Sequence, residues 1–177
     1  DLTIGCNRKL TLTSSQAVCD FLPSGTSPKM LPAGTLVDPG AGYKNVFAGQ
    51  LVAATLNVEF DLYDVDFGAA TVNLGDLEIA VGPFAGWSVN ALLQEANNKI
   101  GGCGSVFSHS VLSAALDSIN NNFVDGVADN GFLLCPDKKE DRIESAKSGQ
   151  MKVTVSPNPA NGSAMVTITA IEDDALQ

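Results

Sequence analysis

The fold is organised around one stretch of the sequence, Asn45-Val-Phe-Ala-Gly-Gln-Leu-Val-Ala-Ala-Thr-Leu-Asn-Val-Glu-Phe60. Val52, Leu56 and Phe60 recur every four residues, close to the 3.6-residue repeat of an α-helix. Leu51 lies on a neighbouring face, so apolar side chains point in nearly every direction. A helix that is apolar on most sides is normally buried. The stretch therefore predicts a central, well-buried helix.

A second helix is predicted to begin after Ser88, because a serine hydroxyl caps the free N–H groups of a helix N-terminus. Gly101 and Gly102 end it, since glycine accepts the left-handed conformation common at helix C-termini. The apolar residues between these signals form one stripe: Val89, Leu92, Leu93, Ala96 and Ile100. This spacing predicts an amphipathic helix with one face towards the core.

A third helix is predicted to begin at a cap at Ser108 or Ser110 and to end before Gly126. Its apolar face consists of Leu112, Ala115, Leu116, Ile119 and Phe123. Three antiparallel helices packed together are therefore expected.

Coil and short strands are predicted around these helices. Residues 1–44 are rich in Pro and Gly and predict an irregular coil, with one alternating run over residues 10–13. Further short strands are predicted within 70–74 and 77–81. The predicted fold class is α+β: a small, disulfide-stapled, mainly helical domain of about three helices, with a long coil and short strands.

Composition excludes several functions. Ten basic and twenty acidic residues give a formal net charge of −10, which disfavours nucleic acid and anionic membranes as partners. No run of 18 apolar residues is present, so no membrane insertion is expected. The N-terminal Asp1-Leu-Thr-Ile-Gly5 lacks the pattern of a signal peptide. The chain is therefore expected to be mature or to begin partway through a larger protein.

The four cysteines are Cys6, Cys19, Cys103 and Cys135, and none forms a C-x-x-C pair. Zinc binding and redox catalysis are therefore disfavoured, and two disulfides formed in an oxidising compartment are favoured over free buried thiols. The pairing Cys6–Cys19 and Cys103–Cys135 is favoured, because each bond closes a local loop. A crossed pairing that ties the first segment to Cys135 is the alternative.

The C-terminal part has a different pattern. Residues 137–150 are polar and of mixed charge, and they predict a linker between a domain over 1–136 and a segment over 151–177. In that segment two alternating runs predict β-strands. Between the runs lie Pro157, Asn158 and Pro159, followed by the Asn161-Gly162 turn. Both prolines must lie at a strand edge or in the connection.

The run Val155-Ser-Pro157-Asn158-Pro159-Ala resembles the start of the type A C-terminal sorting domain carried by cargo of the Bacteroidota type 9 secretion system. That resemblance implies the first strands of an Ig-like β-sandwich over residues 151–177. The later Gly-x-Tyr strand and the Lys-rich terminal strand of complete sorting domains are not among these residues. The resemblance also implies an extracellular, outer-membrane-associated location, with the translocon and its outer-membrane shuttle components as partners.

Residues 6–135 resemble a segment that often precedes the sorting domain in large adhesin-like surface proteins of this phylum, some linked to gliding. The stretches that carry the resemblance include Val18-Cys-Asp-Phe-Leu-Pro-Ser-Gly25, Phe84-Ala-Gly-Trp-Ser-Val89 and Asn120-Asn-Asn-Phe-Val-Asp-Gly126. The resemblance carries no catalytic residues over to this chain.

One loop has the chemistry of a calcium site. Asp61, Asp64 and Asp66 place three carboxylates within six residues, and Ca²⁺ takes hard oxygen ligands of this kind. The spacing fails the EF-hand pattern, so an acidic solvated turn is the competing interpretation. Asn122, Asp125 and Asp129 form a weaker candidate of the same type. No other cofactor is predicted.

Two aromatic residues are candidate functional groups. His109, the only histidine, lies between Ser108 and Ser110, but adjacent residues at a helix start point apart, so helix capping is favoured over a catalytic Ser–His pair. Trp87 could stack on a sugar, and packing against the second helix is the more economical interpretation.

The sequence therefore predicts a non-catalytic extracellular stalk module of a secreted adhesin-like surface protein. The alternatives are a surface module that binds Ca²⁺ or glycans, and the C-terminal tail of a larger secreted hydrolase. Other surface proteins or glycans are further candidate partners.

Overall fold

The central element of the fold is an 18-residue helix, α2 (Val46–Tyr63). Phe47, Leu51 and Val52 are completely buried along it, which confirms the predicted central helix. Phe60 differs from the prediction, because 52% of its surface is exposed near the end of the helix.

The computed structural model describes residues 1–64, 72–122 and 129–136, together with the backbone of two strands at 151–156 and 165–170. The chain divides into two compact units, Asp1–Pro136 and Asp137–Gln177. The class is α+β, with four helices and a few short strands in the described residues.

Two further helices pack against α2 and each other, α3 (Val89–Gly101) and α4 (His109–Asn121). The Ser88 hydroxyl accepts from Ala91 N–H, and Gly102 closes α3 with a φ of 75°. The Ser108 hydroxyl accepts from Val111 N–H, so Ser108 is the cap of α4. These caps confirm the predicted helix starts, although α4 ends at Asn121, before the predicted stop.

The prediction of irregular coil over residues 1–44 is wrong in part. This region contains β1 (Leu2–Gly5), β2 (Lys9–Leu12), α1 (Ser15–Phe21) and β3 (Thr35–Val37). The sheet order is β1-β2-β3, with β1 antiparallel and β3 parallel to β2. Only β2 matches the alternating run at 10–13. The other elements are too short to show a period, so long-range contacts decide them.

The first unit also contains a small two-stranded sheet. β4 (Glu78–Ile79) pairs antiparallel with β5 (Leu133–Leu134), and a bridge joins Glu78 to Ser88 at the start of α3. The strand predicted within 77–81 is therefore confirmed, whereas residues 72–76, in the region predicted as 70–74, contain a bend and a short 3₁₀ helix.

Asn45, the residue before α2, is completely buried and joins the helix to the preceding loop. Its Oδ1 accepts from Lys29 N–H at 3.3 Å, and its Nδ2 donates to the Lys29 carbonyl at 2.8 Å. Nδ2 also donates to Tyr43 Oη at 3.2 Å, and the Asn45 N–H donates to Ser24 Oγ at 3.0 Å. The Asn45 side chain therefore satisfies both backbone groups of Lys29, which lies in a loop that has no secondary structure of its own.

We expect Asn45→Ala to lower the free energy of unfolding by about 2 kcal/mol, because it leaves two part-buried backbone groups of Lys29 without partners. Urea unfolding followed by circular dichroism measures the change. Asn90→Ala is the matched control, since the Asn90 amide donates to Asp76 Oδ1 at an exposed site. Equal effects of the two substitutions would contradict a special role for Asn45.

The described residues of the second unit form one antiparallel pair, β6 (Met151–Ser156) and β7 (Met165–Ala170), with Met151 opposite Ala170 and Ser156 opposite Met165. The two strands predicted from the alternating runs are confirmed. The Ig-like sandwich stays a prediction, and the predicted linker over 137–150 lies outside the described residues.

Candidate functional site

The most constrained point of the unit is the disulfide between Cys6 and Cys103, which are 97 residues apart in sequence. It joins the turn after β1 to the residue after the Gly102 cap of α3. Around it, Arg8 N–H donates to the Gly101 carbonyl at 3.0 Å, and Cys103 N–H donates to the Asn98 carbonyl at 2.8 Å. The bond therefore fastens the N-terminal sheet to the end of α3.

The favoured pairing of Cys6 with Cys19 and Cys103 with Cys135 is wrong. Cys19 lies exposed on α1 as a free thiol, and Cys135 is a free, half-buried thiol after β5. The crossed alternative involving Cys135 is not observed either. Short loop length favoured the local pairs, but the packing of β1 against α3 brings Cys6 to Cys103 instead.

Gly101 makes this approach possible, although the sequence predicts for it only a role in ending the helix. A Cβ atom at Gly101 would lie 2.2 Å from the Cys6 backbone nitrogen and 2.6 Å from Cys6 Sγ. No side chain fits between α3 and the turn after β1 at this point. A glycine two residues before a cysteine was the available signal, but it becomes informative only once the pairing is known.

The predicted calcium ligands are not brought together in the described residues. Asp61 Oδ2 accepts from Leu74 N–H at 2.6 Å, so this carboxylate ties the end of α2 to the next segment. Asp64 is the exposed C-cap residue of α2, and Asp66 lies outside the described residues. No group of three potential metal-ligating side chains occurs in the part of the chain that the structure describes. The calcium site stays a prediction.

In the weaker cation candidate, Asn122 and Asp129 each have an oxygen atom that accepts hydrogen bonds from the backbone. Asn122 Oδ1 accepts from the N–H groups of Asn130 and Phe132, at 3.2 and 3.3 Å. Asp129 Oδ1 accepts from Gly131 N–H at 2.8 Å. Asp125 lies outside the described residues. These hydrogen bonds hold the chain that leads into β5.

Trp87 is part of an aromatic cluster. Its ring centroid lies 5.5 Å from that of Phe84 and 5.8 Å from that of Phe107, both in edge-to-face geometry. Trp87 and Phe107 each precede the cap of a helix, α3 and α4 respectively, so the cluster holds the two helix starts together. This geometry fits the packing role predicted for Trp87, and sugar binding stays a prediction.

His109 is the first residue of α4 and faces the core rather than a serine. Its ring centroid lies 5.9 Å from that of Phe47, and its Nε2 is buried without a hydrogen-bond partner. Burial lowers the pKa of His109 below its usual 6.5, and the positive charge of Lys99 lowers it further. The folded state therefore favours the neutral ring.

We expect the free energy of unfolding to fall as the pH is lowered from about 7.5 to about 5. The unfolded chain takes up a proton near pH 6.5, whereas the folded chain resists it until a lower pH, so acid favours unfolding. Urea unfolding across this range should show a smaller decrease for His109→Gln than for the unaltered chain. Parallel curves for the two proteins would exclude His109 as the cause.

The amide side chains between α2 and α4 were also missed by the sequence analysis. Asn120 Nδ2 donates to Gln50 Oε1 and to the Gln50 carbonyl, at 2.6 and 3.0 Å. Gln50 Nε2 donates to Asp117 Oδ1 at 2.7 Å, and Asn57 Nδ2 donates to Asn120 Oδ1 at 3.3 Å. This ladder of hydrogen bonds positions the two helices.

Two open depressions mark the described surface, with volumes of about 280 and 330 Å³. Neither is lined by a histidine or a cysteine. The first lies between Leu12, Ser14 and Glu59, and the second lies between Leu22, Pro23 and Gln50. Within the described residues, no helix combines the length and apolar character needed to cross a bilayer.

The predicted sorting residues Pro157, Asn158 and Pro159 lie outside the described residues, between β6 and β7. Comparison of the chain with protein-family models, curated proteins and solved structures found no match. These comparisons therefore assign the chain to no family, and its function is a proposal.

Proposed function

We propose that the chain is a non-catalytic structural module of a secreted, cell-surface adhesin-like protein, and that residues 151–177 begin a type 9 sorting domain. The observation that carries this proposal is the disulfide between Cys6 and Cys103. Disulfides form and persist in oxidising compartments outside the cytosol. The Pro157-Asn158-Pro159 motif and the net charge of −10 support the same location.

The position of the disulfide suits a module that bears load. A pull applied to Asp1 and to the C-terminal strands reaches Cys6 from one side and Cys103 from the other. The covalent bond then carries the force, so residues 7–102 cannot be extended. Those residues contain α2, α3 and most of the three-stranded sheet. The module would keep its core folded while it connects neighbouring parts of a surface protein.

Localisation in the native cells tests this function. An antibody against the full chain should detect it at the surface of intact cells, where added protease removes it. In a strain that lacks a type 9 translocon component, the chain should instead accumulate in the periplasm. Peptide mapping without reductant should recover Cys6 linked to Cys103. Recovery of the reduced chain from the cytosol, or equal surface display in both strains, would overturn the proposal.

A further inference from the structure

The basic side chains of residues 1–136 lie near one end of α2. This unit contains thirteen acidic residues and only five basic ones. The structure gathers all of the basic residues at the end where α2 begins, and we call this surface the basic end: Arg8, Lys9, Lys29, Lys44 and Lys99.

Backbone contacts show that these residues share one end. The Asn45 amide, next to Lys44, binds both backbone groups of Lys29. Two residues further on, Leu31 N–H donates to the Ile100 carbonyl, next to Lys99. Arg8 Nη1 donates to the Leu31 carbonyl at 2.9 Å, and Lys9 follows Arg8 in the chain. Four separate segments therefore meet at the basic end.

Several acidic side chains lie at the opposite end, whereas Asp117 lies beside Gln50 in the second turn of α2. Asp1 and Glu59 line the same surface depression, and Asp61 lies in the last turns of α2. The Thr13 hydroxyl and N–H donate to Asp38 and lower the pKa of its carboxyl, so it is charged at neutral pH. Fourteen helical residues separate Asn45 from Glu59, about 21 Å at 1.5 Å per residue. This exceeds the Debye length of about 8 Å at physiological salt, so the carboxylates of that end are largely screened from a ligand at the basic end.

The cations of the basic end are available to a ligand. Lys9, Lys29 and Lys44 are exposed. In the described part of the chain, the contacts of the five side chains are with backbone oxygens and with the Tyr43 ring, and with no carboxylate. Arg8 uses one N–H group on Leu31 and keeps further donors, in a planar arrangement that matches carboxylate and sulfate groups.

We propose that the basic end binds an anionic polysaccharide. The cations are distributed over an open surface, which suits a linear polyanion better than a small anion held in a cavity. The class of polyanion rests on the proposed function, because an extracellular protein meets acidic polysaccharides.

Affinity measurements on the purified full chain test this proposal, with heparin as a sulfated probe, polygalacturonate as a carboxylated probe and dextran as the neutral control. We expect both anionic probes to bind at about 50 mM NaCl and to be released as salt is raised. The double variant Lys9→Gln/Lys44→Gln should weaken binding about tenfold. The slope of log affinity against log salt should fall by about two, one per cation removed.

Lys9→Arg/Lys44→Arg is the matched control, because it changes the same two positions and keeps their positive charge. Its affinity should stay within about twofold of the unaltered chain, and thermal unfolding should show that both variants fold. Equal losses in the two variants, or no salt-dependent binding, would overturn the proposal. Salt-dependent self-association that Lys9→Gln/Lys44→Gln abolishes would assign the basic end to a second copy instead. Because these assays use purified protein, they can fail while the localisation result stands.

Discussion

Removal of the disulfide is expected to lower the free energy of unfolding by about 4–5 kcal/mol. The bond closes a loop between residues 97 apart, and a covalent link across so long a loop removes much of the conformational freedom of the unfolded chain. Because domains of this size are stable by only about 5–15 kcal/mol, Cys6→Ser/Cys103→Ser should be close to unfolding at 37 °C. Urea unfolding of this variant, and of the unaltered chain with and without reductant, measures the loss.

Cys19→Ser/Cys135→Ser is the matched control, since it removes two cysteines that are free thiols. Its unfolding curve should overlay that of the oxidised, unaltered chain. A loss of stability in this control equal to that of Cys6→Ser/Cys103→Ser would show that the wrong pair had been identified. The same experiment therefore tests the correction of the predicted pairing.

Gly101→Ala is expected to lower the free energy of unfolding by about 3 kcal/mol, although alanine normally favours a helix over glycine. The added Cβ would lie 2.2 Å from the Cys6 backbone nitrogen, so the strand or the helix must shift. The shift also separates Cys6 from Cys103, so formation of the disulfide should slow. Unfolding measurements and the rate of thiol loss during oxidative refolding check the two effects.

Gly25→Ala is the corresponding control, because a Cβ at Gly25 meets nothing within 4 Å. It should change stability by less than about 0.5 kcal/mol. If Gly101→Ala were as stable as this control and formed its disulfide at the same rate, the close approach of α3 to the turn after β1 would not limit the fold.

The candidate site was harder to predict than the helices. The acidic loop was recognisable from Asp61 and Asp64, but the structure shows Asp61 bound to a backbone N–H group. Sequence spacing shows that carboxylates lie near one another along the chain. It does not show which of them already accepts a hydrogen bond from a backbone N–H group. The basic end was not predicted, because its five cations are spread over 92 positions of the sequence, from Arg8 to Lys99.

The sequence by itself determined α2, α3, the start of α4 and the two C-terminal strands. Those elements depend on local signals: the repeat of apolar residues, the hydroxyls of Ser88 and Ser108, and the conformational freedom of Gly102. Only the tertiary structure decided the parallel pairing of β3 with β2, the disulfide between Cys6 and Cys103, and the gathering of five cations at the basic end. Each of these features joins residues that are far apart in the sequence. Packing against α2 and α3 brings those residues into contact, and no local sequence pattern encodes such a contact.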